Sequence, residues 1–67
     1  MEVKEISKKD AYKIIEACDV INKNMENNYL IKEGDVWSAL FINSNNDTFV
    51  EEFDNKESAI EWLKVQK

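Results

Sequence analysis

The sequence predicts a small α+β domain, a three-stranded antiparallel sheet flanked by an N-terminal and a C-terminal helix in the order (β)αβββα. Three observations predict it. Apolar residues between positions 8 and 25 recur at steps of three and four, the period of an amphipathic helix. Two hydrophobic runs flank Glu33-Gly34-Asp35, and a third follows a polar loop, the pattern of strands joined by short turns. The chain of 67 residues has no proline and one glycine, so nothing marks a linker and residues 1–67 read as one compact domain.

Each element has a local reason. Residues 2–6 fit a short strand, although Val3 and Ile6 do not alternate cleanly. Ser7 is placed to cap a helix by accepting from the amide of Asp10. The helix should run from Lys8 to about Asn24, with Ala11, Ile14, Ile15, Cys18, Ile21 and Met25 on one stripe. It should fade in Asn24-Met25-Glu26-Asn27-Asn28, where turn-forming asparagine is dense. Tyr29–Lys32, Val36–Ile42 and Thr48–Phe53 are the predicted strands, with residues 43–47 as a five-residue loop. Gly34 supplies the positive φ of a tight hairpin, in a two-residue turn at 33–34 or 34–35. Asp54 or Asn55 caps a last helix whose apolar side is Ala59, Ile60, Trp62 and Leu63.

These loops fix the strand register. Ile42 should face Thr48, Phe41 face Phe49, Leu40 face Val50 and Trp37 face Phe53. Side chains alternate across a strand, so Leu30, Trp37, Ala39, Phe41, Phe49 and Phe53 share one face. Tyr29, Ile31, Val36, Leu40, Ile42 and Val50 share the other. Neither face is polar, and Ser38, Glu51 and Glu52 are the main interruptions. Both faces therefore need cover. The two helices can split, one on each face, in a closed three-layer domain, or both pack on one face. A helix is ~10 Å wide and three strands span ~14 Å, which slightly favours the second arrangement and leaves the aromatic face for a partner or a second copy.

Composition narrows the chemistry. The formal charge is −5, and all the positive charge is lysine. Residues 1–33 hold seven acids and six lysines, whereas residues 34–67 hold seven acids and three lysines, so the acidity sits in the C-terminal half. With no arginine to grip phosphate, direct nucleic-acid binding is disfavoured. No apolar run approaches the ~18 residues of a membrane span, and the opening residues lack the pattern of a signal peptide. A lone cysteine, Cys18, fits a reducing cytoplasm and forms no intrachain disulfide.

No cofactor or metal is implied. Histidine, the commonest zinc ligand, is absent, and Cys18 on the helix stripe has no base to activate it. Asn43, Asn45, Asp47, Glu51 and Asp54 have the spacing of calcium-loop ligands. However, Thr48 occupies the glycine position and Asp54 that of the bidentate glutamate, so a turn is expected. Adjacent Glu51 and Glu52 point to opposite faces and cannot form one acid–base pair. A domain this small has little room for a pocket of ~300 Å³, and no enzyme is expected.

The expected function is that of a small acidic interaction protein. Its surface would be the aromatic face (Leu30, Trp37, Phe41, Phe49, Phe53) or the carboxylates Asp47, Glu51, Glu52, Asp54, Glu57 and Glu61. Such carboxylates can imitate nucleic-acid phosphates or simply keep a small protein soluble. A composition rich in Asn, Lys and Ile without Arg or Pro resembles products of AT-rich genomes, and small acidic chains of this type are frequent in bacteriophages and other mobile elements. An inhibitor of a host protein is one form the interaction protein could take. A structural homodimer and a small ligand-binding domain are the alternative expectations.

Overall fold

The structure is a computed structural model that describes residues 2–66. The elements follow in the order β1 (Lys4–Ile6), α1 (Lys8–Asp19), β2 (Asn27–Glu33), β3 (Val36–Ile42), β4 (Thr48–Phe53) and α2 (Lys56–Lys64). The four strands form one sheet in the order β1-β2-β3-β4. β2, β3 and β4 pair antiparallel, while β1 pairs parallel to β2, with Lys4 opposite Tyr29 and Ile6 opposite Ile31. The fold is α+β as expected, but the sheet is mixed and has one strand more than the three predicted. Parallel neighbours need a crossover, and α1 with the connection after it supplies one.

Both hairpins keep the expected register. Ile42 faces Thr48, Phe41 faces Phe49, Leu40 faces Val50 and Trp37 faces Phe53. The first hairpin turns at residues 34–35, since Glu33 pairs with Val36. Gly34 has φ 60°, and a glycine at the first central position is the signature of a type II′ turn. The second loop is tighter than five free residues. Asn43 N–H donates to the Asp47 carbonyl at 3.1 Å, and Asn46 N–H donates to the Asn43 carbonyl at 3.0 Å. With Asn46 at φ 66°, residues 44–46 form a three-residue loop of turn and bulge.

Both helix caps are in place. The Ser7 hydroxyl accepts from Asp10 N–H at 3.2 Å, and the Asn55 side-chain oxygen accepts from Ser58 N–H at 2.8 Å. α1 is shorter than predicted. It stops at Asp19, because Asn22 takes a left-handed φ of 57° and Lys23 N–H turns back to the Ala17 carbonyl. Ile21, placed on the predicted stripe, is 70% exposed, whereas Met25 still packs against the core from the connection beyond the helix.

The helices lie on opposite faces of the sheet, which corrects the arrangement with both on one face. α1 buries Ala11 and Cys18 against Tyr29, Ile31, Leu40 and Ile42, with Ile6, Ile14 and Ile15 completing that layer. α2 buries Ala59 and Leu63 against Leu30 and Ala39, with Val3, Trp37, Phe41 and Phe53 around them. A single helix need not span a whole face of a sheet this small. In fact each covers part of one. α2 lies mainly over β3 and β4, and α1 lies over β2. The uncovered parts of the sheet are therefore at diagonally opposite corners.

Candidate functional site

Uncovered surface concentrates on β4. Thr48, Phe49, Val50, Glu51 and Glu52 are all exposed, and only Phe53 is half-buried. Val50 on the α1 face is 55% exposed and Phe49 on the α2 face is 44% exposed. β4 is also the last strand of the sheet, so among the described residues one side of its backbone has no strand partner. Asn43 and Asp47 form a hydrogen-bonded pair, and such pairs alternate along an antiparallel ladder. The backbone groups of Phe49, Glu51 and Phe53 therefore point to β3. Those of Thr48, Val50 and Glu52 point to the open side.

The chain that forms this edge is acidic. Between residues 33 and 55 stand Glu33, Asp35, Asp47, Glu51, Glu52 and Asp54, and no lysine. Glu51 lies opposite Ala39 on the α2 face and Glu52 opposite Ser38 on the α1 face. The three polar residues that interrupt the apolar faces thus fall at or beside the edge that the helices leave bare. Among the described residues two ion pairs join elements, the first of them across the groove that borders β4. Lys8 meets Glu33 at 2.8 Å, and Lys56 meets Glu5 at 3.3 Å. The Glu33 carboxylate, through its hydrogen bond and charge, holds the Lys8 ammonium above its usual range.

The predicted site residues do not form one surface. Leu30 is 1% exposed beneath α2 and belongs to the core. Trp37, Phe41 and Phe53 are half-buried around that same cluster, with Phe53 beside Trp62 at 6.3 Å between ring centres. The Lys32 and Lys56 ammonium groups lie 5.3 and 5.6 Å from the Trp37 ring centre. Of the aromatic set only Phe49 is exposed, and it stacks on Phe41 at 6.1 Å. The carboxylates are all exposed but dispersed. Asp47 lies just before β4 and accepts from the Asn43 side chain at 3.2 Å, Asp54 follows the other end, and Glu57 and Glu61 belong to α2. Glu61 is paired with Lys64 at 3.7 Å.

Two surface grooves mark the uncovered corners. One, of about 280 Å³, runs between α1 and β4, with Ile31, Leu40 and Val50 in its lining and Tyr12, Glu52 and the Lys8–Glu33 pair beside them. The other, of about 350 Å³, lies between β1 and α2 and is lined by Val3, Glu5, Leu30, Lys56, Ile60 and Lys64. A groove near 300 Å³ thus fits on this small domain after all, because neither helix spans its face. Val50 and Tyr12 are surface residues that sequence reasoning did not single out. The signal was present, since Thr48, Val50 and Glu52 make a largely polar row on a face otherwise aliphatic.

Cys18 is buried, and its Sγ–H donates to the Asn46 carbonyl at 3.1 Å. Burial pushes the thiol upward, helped by the carboxylates of Asp19 and Asp47. A thiol held neutral is a poor nucleophile. Burial likewise raises the Tyr29 phenol, whose hydroxyl donates to the Met25 carbonyl at 2.7 Å. Among the described residues no group of His, Cys, Asp or Glu is arranged to hold a metal ion, and no helix is long and apolar enough to cross a membrane.

Comparison with protein families, with curated proteins and with solved structures finds no match to this chain.

Proposed function

We propose that this chain is a small non-enzymatic interaction protein that binds another protein along β4. The observation that carries this reading is the edge itself. It is a full-length strand, exposed on both faces, with two large apolar side chains beside two carboxylates and no lysine on β3 or β4. Exposed edges are ordinarily shortened, covered, bulged or blunted by charge, and Glu51 and Glu52 blunt this one against copies of itself while leaving it open to a basic strand. The carboxylates select a basic partner and speed its approach, while Phe49 and Val50 supply the apolar contact.

An inhibitor of a host protein, acting in the cytoplasm, is the role that this reading and the composition favour together. Phosphate mimicry by the whole acidic set gains less support, because its members spread over both faces and two elements. A homodimer formed by burying a whole sheet face gains less support, because each face already carries a helix over part of it.

Affinity capture from the source organism's lysate tests the reading, at ~0.1 and ~0.5 M salt, where the Debye length falls from ~10 to ~4 Å. Three baits are compared: the native chain, the Glu51→Lys/Glu52→Lys variant, and a Glu16→Lys/Glu26→Lys variant with the same net charge. Loss of the captured protein with the first variant alone is the expected result. Equal capture by all three baits would sink the proposal.

A further inference from the structure

We infer that the partner binds β4 as an added antiparallel strand, through an extended segment reading basic-basic-apolar-apolar from its N-terminus. This rests on the reading of β4 as the binding surface and specifies how that surface is used. The backbone comes first. Thr48, Val50 and Glu52 each turn one N–H and one C=O to the open side, because Asn43–Asp47 sets the phase of the ladder. An incoming strand can satisfy all of these groups, and antiparallel pairing continues the order of β2, β3 and β4.

The side chains then fix the pattern. Directly opposite residues of paired strands share a face and touch. Phe49 and Val50, adjacent in sequence, present apolar surface on the two faces, and Glu51 and Glu52 present a carboxylate on each. An antiparallel partner therefore meets Glu52 first, then Glu51, Val50 and Phe49. Its two basic residues stand over the two carboxylates, one on each side of the sheet. Its first apolar residue shares a face with Val50, beside the groove between α1 and β4.

A second copy of this chain fits less well. Two β4 strands paired about a two-fold axis keep faces matched only when one residue stands opposite its own copy across the axis. Centred on Phe49, the pairing sets Glu51 opposite Asp47 of the second copy. Centred on Glu51, it sets the two Glu51 carboxylates opposite each other. Centred on Val50, it leaves them diagonal neighbours. Like charges so placed oppose pairing, and neither β3 nor β4 contributes a lysine to offset them. The same charges that disfavour the second copy favour a basic strand.

Synthetic peptides test this by titration against the full chain, read by amide chemical shifts. The probes are Thr-Lys-Lys-Val-Val-Thr, its reverse Thr-Val-Val-Lys-Lys-Thr, and a Glu-Glu version of the first. A fourth carries N-methyl groups on the amides that would face Val50 and Glu52. The first peptide should bind, with shifts centred on Thr48, Val50 and Glu52. N-methylation, the Glu-Glu exchange and Glu51→Lys/Glu52→Lys in the protein should each weaken binding at least ~10-fold. Binding that N-methylation leaves unchanged would overturn strand addition, as would stronger binding of the reverse peptide or none by any peptide up to ~1 mM. If the peptides fail while lysate capture still depends on Glu51 and Glu52, the strand mode alone falls. Failure of both removes the protein-binding reading as well.

Discussion

β2 and β4 flank the same strand, both antiparallel to it, yet their surroundings are opposite. β2 buries Tyr29, Leu30 and Ile31 in succession, so both of its faces are core. β4 leaves five of its six residues exposed. Propensity does not explain the contrast, since Thr-Phe-Val is as strand-prone as Tyr-Leu-Ile. Position does. β2 has a strand on each side and a helix layer on each face, whereas β4 has β3 on one side and α2 over part of one face. Two helices and four strands suffice to dry the middle of the sheet but not both edges. β1, the other edge, is only three residues long, which limits what it exposes.

Four substitutions would break or sharpen this contrast. Leu40→Ala removes a side chain with no exposed surface, opposite Tyr29 on one strand and Val50 on the other. It should cost about 2–5 kcal/mol, read from urea unfolding. Asn46→Ala should cost about 1–3 kcal/mol. The Asn46 side chain accepts from Met25 N–H at 2.9 Å and donates to the Lys23 carbonyl at 2.7 Å, and alanine leaves both without it. Phe49→Ala should cost about 1 kcal/mol, the scale of its cross-strand contact with Phe41, with the circular dichroism spectrum unchanged. Val50→Thr should stay within about 0.5 kcal/mol, since the side chain is already half in water. A cost for Val50→Thr close to that for Leu40→Ala would mean that β4 is core, and the distinction drawn between the strands would collapse.

Local features were legible in the sequence and the placement of helices was not. Val36–Ile42 and Thr48–Phe53 keep their predicted bounds, and all four predicted β3–β4 pairs hold, because loop length and side-chain parity are local constraints. Ser7 and Asn55 cap as their chemistry requires. β1 was only partly legible. Three residues leave almost no room for alternation, and its parallel partner lies beyond a helix. The end of α1 depended on one asparagine, Asn22, adopting a left-handed conformation that composition does not specify. The division of the helices between faces was hidden because apolar parity says that a face needs cover without saying which helix supplies it. Of the candidate residues, Glu51, Glu52 and Phe49 keep a place on the proposed surface, and Leu30 belongs to the interior.

The parallel pairing of β1 has a consequence in time. β2, β3 and β4 are joined by loops of two and three residues, so their pairing needs little closure entropy and hairpins of this kind form in microseconds. β1 can reach β2 only after the chain between them has folded back as α1. Its three-residue ladder makes too few contacts to hold that long loop closed without the helix. The meander should therefore assemble first and act as the template on which the N-terminal segment docks. During that interval the sheet has two open edges, and the carboxylates of β4 keep one of them from pairing with another copy of itself.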